Sequence, residues 1–133
     1  MSLRVFLIII SVMFISSAGH AINDVVDKDI DAINKPYRPI PSGIVTSEEA
    51  KIFACALFSA GVIIAFFVSV FSLVIASFAS LLLYVYAVHL KRRGFLGNLT
   101  IALLAFLTLF MVELQQPLHL WFFFQDTLRL SLH

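Results

Sequence analysis

Acidic residues recur at helical spacing in the segment Asn-Asp-Val-Val-Asp-Lys-Asp-Ile-Asp, which begins at Asn23. If this segment is helical, with about 100° of rotation per residue, Asp24, Asp27 and Asp31 fall within roughly 60° of one another. Asn23 flanks this face, whereas Asp29 points to nearly the opposite side. Like charges at such spacing repel one another, so the arrangement requires a counter-ion. Because the ligands are all oxygens and the face is open to phosphate, the predicted ion is Mg²⁺.

The same acidic segment has two other interpretations. An acidic run beside a membrane is often only a solvated face, although acids at the C-terminal end of a helix oppose its dipole and gain no stability there. An EF-hand also places acids at alternate positions, as at Asp27, Asp29 and Asp31. That motif requires Gly where this chain has Ala32 and Glu where it has Arg38, so the EF-hand is excluded. A solvated face and a cation site both remain open at this point.

A proline-rich segment, Pro36–Gly43, follows the acids and ends the predicted helix. Its three prolines fix φ and leave the loop few free conformations. Arg38 lies within this segment, close enough in sequence to approach a phosphate that the acids hold. Taken alone, the segment also fits a stiff loop with a solvated arginine.

The composition places these residues in a membrane protein. The chain has 133 residues, of which 61% are hydrophobic and 13% charged, whereas soluble domains are about 45–50% apolar and about 25% charged. The stretch Ile52–Leu90 contains no Asp, Glu, Lys or Arg, and at roughly 20 apolar residues per spanning helix it holds two spans. Nothing in the net charge of +1 suggests nucleic-acid binding, and a single cysteine, Cys55, excludes an intrachain disulfide.

Long apolar segments are predicted to be spanning helices, because backbone polar groups in lipid must be satisfied within their own segment. Four such segments and one weaker tract occur in the sequence: Val5–Ile22, Ile52–Val70, Leu73–Leu90, Leu99–Leu114 and, after Pro117, the tract Leu118–Phe124. A short uncharged turn near Ser69–Ser72 makes the second and third segments an antiparallel hairpin. The predicted fold class is therefore all-α, an integral membrane bundle of four to five transmembrane helices in a single domain over residues 1–133.

Orientation follows from the basic residues. Loops 23–51 and 91–98 hold seven of the nine Lys and Arg residues and are separated by two spans, so they share a side that the positive-inside rule makes cytoplasmic. The first segment could instead be a secretory signal peptide, with Arg4 before an apolar core and the small residues Ser16–Gly19 after it. Cleavage there would place the acidic loop outside, against the cation count, so a spanning helix is favoured.

Two segments together resemble a known family. The pattern Asn23-Asp24-x-x-Asp27-x-x-x-Asp31 is similar to the first signature of the UbiA superfamily of intramembrane prenyltransferases. The following Ile33–Gly43 resembles the branch that contains digeranylgeranylglyceryl phosphate synthase and the chlorophyll synthases. A second match, in Tyr84-x-Tyr86-x-x-x-Leu90-Lys91-Arg92-Arg93-x-x-x-Gly97-Asn98, is similar to the aromatic–Lys–Gly–Asn segment of that family. Order, spacing and intervening hydrophobicity agree with the resemblance.

The resemblance implies a reaction. The family moves a prenyl group, expected here to be geranylgeranyl, from its diphosphate to a lipid acceptor such as geranylgeranylglyceryl phosphate in archaeal-type ether-lipid synthesis. The implied cofactor is Mg²⁺, and the implied partners are the prenyl diphosphate, the acceptor and the membrane, with no nucleic acid. The site residues carried over are Asp24, Asp27 and Asp31 as catalytic groups, Asn23, Asp24, Asp27 and Asp31 as metal ligands, and Arg38, Lys91 and Tyr84 as diphosphate-binding groups. Taken alone, Tyr84 and Tyr86 also fit interface anchors, and Lys91–Arg93 also fits a topology signal.

The resemblance covers most of the chain, but the chain covers only about half of the family fold. It starts where the second helix of the family would stand, it lacks the second Asp-rich signature, His20 replaces the usual asparagine, and residues 115–133 diverge. We therefore expect an N-terminal-half fragment that is incomplete alone, with a second polypeptide supplying the missing half. Two alternatives stay open: a non-catalytic membrane fragment of such an enzyme, and a prenyltransferase for a chlorophyllide or quinone-ring acceptor.

Overall fold

The computed structural model describes residues 3–91 and 94–114, together with positions 127 and 129. The regular elements in the two continuous ranges are all helical: α1 (Leu3–Val26), α2 (Lys28–Asn34), α3 (Ser47–Val68), α4 (Val70–Val85), a π-helical turn (Tyr86–Leu90) that continues α4, and α5 (Gly94–Leu114). The weaker apolar tract Leu118–Phe124 lies outside the described residues.

Four helical stretches are long and apolar enough to cross a membrane: Leu3–Val26, Ser47–Val68, Val70–Leu90 and Phe95–Leu114. The prediction of an all-α membrane bundle is confirmed. The first two membrane-spanning helices, α1 and α3, each extend beyond the apolar segment predicted for them. The first continues into the acidic segment, and α3 begins at Ser47 because Thr46 caps it. The Thr46 hydroxyl accepts a hydrogen bond from the Glu49 backbone N–H at 3.2 Å, while the Glu49 carboxylate accepts one from the Thr46 N–H at 2.8 Å.

The turn between α3 and α4 is shorter than the predicted span Ser69–Ser72. Ser69 alone separates the two helices, in an extended conformation with φ −169° and ψ 161°. Its hydroxyl accepts a hydrogen bond from the Ser72 N–H at 3.0 Å and so caps α4. The uncharged, hydrophobic sequence predicts the position of this turn. Because the Ser69 side chain caps α4, a single residue can connect the two helices.

The first helix lies at the centre of the bundle and packs most extensively against α3. Three clusters of buried side chains join α1 to its neighbours: Ile8 with Val68 and Met111, Ile15 with Ala65 and Ala76, and Ala18 and Ile22 with Ala54 and Ala87. From Ile8 to Ile22 along α1, the residue numbers of the partners fall on α3, from Val68 to Ala54. They rise from Ala76 on α4 to Ala87 in the π-helical turn that continues α4. Therefore α3 runs antiparallel to α1, and α4 runs parallel to it.

Small residues allow α1 and α3 to approach closely. A Cβ added at Gly61 would lie 2.6 Å from Ile15 Cγ1 and 3.0 Å from the Ser11 carbonyl oxygen. The Ser11 hydroxyl in turn donates a hydrogen bond of 2.7 Å to the Gly61 carbonyl oxygen. Such contacts replace the hydrophobic effect as the source of helix association in lipid. The close packing fixes α1, and with it the acidic segment at its end.

Candidate functional site

The acidic segment continues the helical backbone of α1. The Asp27 N–H donates to the Asn23 carbonyl at 2.9 Å and the Asp31 N–H donates to the Asp27 carbonyl at 2.8 Å, so the helical hydrogen bonds run through the junction with α2. At that junction Asp27 has φ −89° and ψ 3°, the angles of a residue in a tight turn between two helical segments. The helical face predicted from the spacing is therefore present. Helix α2 ends before Lys35, because the residue preceding a proline disfavours helical angles.

Arg38 joins two of the motif carboxylates. Its Nη1 atom lies 2.8 Å from Asp24 Oδ1 and 2.8 Å from Asp31 Oδ2. Asp31 is buried, with 7% of its surface exposed, whereas Asp29 is exposed, as its position off this face predicts. The hydrogen bond to Asp31 raises the pKa of Arg38, against a lowering by desolvation and with help from the negative charge of Asp24. The guanidinium thus stays protonated while it bridges the two acids.

The third motif carboxylate is held from another part of the chain. Lys91 Nζ forms an ion pair with Asp27 Oδ2 across a separation of 64 residues. Lys91 directly follows the π-helical turn, and its N–H donates to the Tyr86 carbonyl at 2.9 Å. Gly97 lets the start of α5 approach this turn, since an added Cβ would lie 3.2 Å from the Leu90 carbonyl oxygen. The two motifs singled out in the sequence therefore meet at one end of the bundle, which places the two basic loops on the same side.

A cavity of about 410 Å³ lies between α1, α4 and α5 next to this ion-pair cluster. Most of its wall is apolar, and the side chains along it include Val12, Ile15, Ile75, Leu83, Leu104, Leu107 and Met111. Its polar lining nearest the acids consists of His20, Asn23 and Tyr86. Asn23 Oδ1 is buried and has no hydrogen-bond partner among the described residues. A buried unpaired oxygen is costly unless a ligand satisfies it.

The two tyrosines of the second motif have different surroundings. Tyr86 lines the cavity, whereas Tyr84, the one predicted to bind diphosphate, is 48% exposed and is not among the lining side chains. In the sequence, His20 is distinguished only by its departure from the family pattern. In the structure, both His20 and Asn23 line the cavity. The spacing of three residues between His20 and Asn23 on one helix was the signal that could have placed it there.

The oxygen atoms gathered here are of the chemical type that a hard divalent cation prefers. Two carboxylate oxygens, from Asp24 and Asp31, converge on one positively charged nitrogen of Arg38. Asn23 also lines the adjoining cavity, and its side-chain oxygen is buried without a hydrogen-bond partner among the described residues. Carboxylate and amide oxygens are suitable Mg²⁺ ligands. Over the described residues no ready group of three or more His, Cys, Asp or Glu side chains surrounds a metal position, and basic side chains hold all three motif carboxylates instead.

The fold corresponds to that of a family of membrane prenyltransferases. The model of the UbiA prenyltransferase family matches residues 2–124 of this chain. The chain belongs to that family. The match extends beyond Leu114 into the segment predicted to diverge, and the domain boundaries proposed from the sequence stay a prediction.

The relatives indicate which branch the chain resembles. It is 45% identical over 96 residues to the digeranylgeranylglyceryl phosphate synthase of Saccharolobus solfataricus, covering 72% of this chain and 34% of that protein. It is 49% identical over 98 residues to the enzyme of the same name from Methanosarcina mazei, covering 74% and 34%. A solved structure described as "Structural and mechanistic insights into the biosynthesis of Digeranylgeranylglyceryl phosphate synthase in membranes" superposes with a TM-score of 0.80 at 35% identity, over 85% of this chain and 40% of that one. The chain thus spans about a third of the length of these two curated relatives.

Proposed function

We propose that this chain forms part of a Mg²⁺-dependent prenyltransferase that moves a geranylgeranyl group from its diphosphate to a lipid acceptor such as geranylgeranylglyceryl phosphate, in ether-lipid synthesis. One observation carries the proposal. Three carboxylates and two basic side chains, drawn from the two motifs, gather next to an apolar cavity. The acceptor is proposed from the names of the relatives, which are digeranylgeranylglyceryl phosphate synthases.

The proposed chemistry is the departure of a diphosphate. The residues that would hold Mg²⁺ are Asn23, Asp24, Asp27 and Asp31. When bound, the ion supplies positive charge that stabilises the leaving diphosphate. Arg38 and Lys91 donate hydrogen bonds to phosphate oxygens and add fixed charge where negative charge develops. Their role as diphosphate ligands, like that of the carboxylates, is a proposal that the geometry supports.

The apolar cavity is the proposed site of the prenyl chain. Its wall on α1 extends from Val12 to Asn23, which corresponds to about 16 Å at 1.5 Å per residue. Apolar walls exclude the water that would otherwise capture an allylic cation. The ring of Tyr86 lines this cavity and can attract positive charge through its face. The diphosphate role predicted for Tyr84 stays a prediction, and its exposure equally suits a tyrosine at the membrane interface.

The proposal also includes the setting of the site. We place the acidic loop on the cytoplasmic side, because the loops at that end carry most of the basic residues. The relatives are about three times as long as the segment they share with this chain. The rest of the catalytic fold would therefore come from further sequence or from a second polypeptide.

A pair of matched variants tests the metal face. Asp27→Asn removes a charge from the face, and Asp29→Asn removes the same charge two residues away on the exposed side. We expect Asp27→Asn to weaken Mg²⁺-dependent binding of geranylgeranyl diphosphate by about tenfold, ~1.4 kcal/mol, and Asp29→Asn to change it by less than about twofold. Isothermal titration calorimetry of the chain in detergent measures both. Equal losses in the two variants would instead indicate a diffuse charge effect.

The acceptor is tested by turnover. In liposomes with Mg²⁺, geranylgeranyl diphosphate and geranylgeranylglyceryl phosphate, we expect the 133-residue chain to bind the diphosphate without forming product. Addition of the remaining part of the fold should yield the doubly prenylated ether, and Asp24→Ala should abolish it. Robust product from the chain alone would show that it is complete as it stands, and product only with a chlorophyllide or quinone-ring acceptor would overturn the proposed substrate.

A further inference from the structure

The basic side chains proposed to bind phosphate are already engaged. One nitrogen of Arg38 lies 2.8 Å from each of two motif carboxylates, and Lys91 is paired with the third. Two positive charges of the protein itself therefore offset two of the three negative charges on this face. Without these two cations the clustered carboxylates would repel one another across a single helical face.

A metal ion and Arg38 compete for the same oxygens. Mg²⁺ binds oxygen ligands at about 2.0–2.1 Å in a nearly octahedral arrangement. The Arg38 nitrogen lies between Asp24 Oδ1 and Asp31 Oδ2, which is the space that an ion shared by these two oxygens would need. A guanidinium and a dication in this space would also repel each other. Binding of an ion to these same two oxygens would therefore require Arg38 to leave them.

Both basic side chains have room to move. The Arg38 side chain is 34% exposed and lies in the loop between α2 and α3, while that of Lys91 is 35% exposed and follows the π-helical turn. Such partly exposed ion pairs contribute little to stability, because solvent screens them. The site can therefore break these pairs at modest cost when a stronger interaction replaces them.

We propose that Arg38 and Lys91 are exchangeable counter-ions that position the carboxylates through the observed ion pairs and transfer to phosphate oxygens when metal and diphosphate bind. This inference rests on the proposed function, since it requires that the site bind a metal diphosphate. It makes the two ligands cooperative. Metal alone must displace the internal cations with nothing to receive them, whereas metal diphosphate offers them phosphate oxygens. By linkage, each ligand then raises the affinity of the site for the other by the same factor.

The test measures binding rather than turnover. Mn²⁺ serves as the spectroscopic probe, titrated into the detergent-solubilised chain by electron paramagnetic resonance, first alone and then as the complex with inorganic diphosphate. In Arg38→Gln we expect Mn²⁺ alone to bind about tenfold more tightly, because two carboxylates are released, and the Mn²⁺–diphosphate complex to bind about tenfold more weakly, ~1.4 kcal/mol each. A residue with only a structural role would weaken both.

Lys35→Gln is the matched control. It removes the same charge three residues away, from an exposed lysine in the same loop. We expect its two affinities to change by less than about twofold, because only screened long-range charge is lost. A second variant, Lys91→Gln, breaks the separate pair with Asp27 and should show the same opposed changes. Circular dichroism and size-exclusion chromatography identify which variants are folded, so either variant can carry the test.

The outcomes separate the two proposals. If the unaltered chain binds no Mn²⁺–diphosphate, both the proposed function and the exchange are overturned. If it binds the complex but Arg38→Gln and Lys91→Gln leave the affinity for Mn²⁺ alone unchanged or weaker, only the exchange is overturned. Equal effects of Lys35→Gln and Arg38→Gln would also overturn it, because net charge rather than the bridging contact would then control metal binding.

Discussion

The bundle has a charged end and an uncharged body, and the two are held together by different forces. At the charged end, Arg38 and Lys91 fasten the acidic face through ion pairs whose side chains are partly exposed. In the body, the stretch 52–90 carries no Asp, Glu, Lys or Arg, and α1 meets α3 through close backbone contact at Gly61. The first set of contacts is partly exposed to solvent, whereas the second is buried between two helices.

This difference predicts which region determines the stability of the fold and which determines ligand binding. Partly exposed ion pairs contribute at most about 1 kcal/mol each and weaken in salt. Close packing in lipid tolerates little change, because a larger side chain separates the helices. Changes in the body should therefore act on folding, whereas changes at the charged end should act on ligand binding.

The largest expected difference between the two ends of the bundle is the side of the membrane that each one faces. We expect the charged end to face the cytoplasm and the Ser69 turn to face outward. Single cysteines at two exposed positions, Ser42→Cys at the charged end and Val70→Cys beside the turn, are introduced in a Cys55→Ser background. An impermeant maleimide added to intact cells should label Val70→Cys alone, and both positions should react after permeabilisation. Labelling of Ser42→Cys from outside would show that the orientation is the opposite of the predicted one, and it would support the signal-peptide interpretation.

The next largest effect is expected in the body. Gly61→Leu would force a side chain against Ile15 and the Ser11 carbonyl, where even a Cβ lies at 2.6 Å and 3.0 Å. We expect a loss of about 3 kcal/mol in the free energy of unfolding, measured by titration with sodium dodecyl sulfate. Ala56→Leu is the control, since Ala56 lies on the same helix but is exposed. A similar loss in both variants would show that the close approach at Gly61 is not special.

The features predicted well from the sequence depend on local periodicity. Helical spacing alone placed Asp24, Asp27 and Asp31 on one face and Asp29 off it, and the structure shows Asp31 buried and Asp29 exposed. The apolar segments likewise predicted the spanning helices to within a few residues. In both cases the information lies within one or two helical turns, or in a hydrophobic run, and so can be taken directly from the chain.

The features that were missed depend on contacts between distant segments. Spacing alone did not show which of Tyr84 and Tyr86 lines the cavity, because packing against α1 and α5 decides which face of α4 and its π-helical continuation borders it. The diphosphate role of Tyr84 stays a prediction. Similarly, the sequence brought Arg38 near the acids but could not show that one nitrogen bridges Asp24 and Asp31. That contact depends on how the loop folds back after Pro36, which no local pattern specifies.

The smallest predicted effect concerns the ion pair that joins the two motifs. A double-mutant cycle with Asp27→Asn and Lys91→Met, in the presence of a chelator, measures their coupling through the free energy of unfolding. We expect a coupling of about 0.5–1 kcal/mol, because the side chains of Asp27 and Lys91 are only 21% and 35% exposed.

The chain provides its own control for this cycle. Glu48 and Lys51 form an ion pair of 2.7 Å within α3, but their side chains are 76% and 50% exposed. An exposed pair at this helical spacing is only weakly stabilising, because solvent screens it, so its coupling should be smaller than that of Asp27 with Lys91. Both couplings should fall as salt is raised, whereas the loss caused by Gly61→Leu should not. If the Asp27–Lys91 coupling matches that of the exposed pair, this ion pair stabilises the fold no more than a surface pair does, and the packing of α1 against α4 holds the two motifs together.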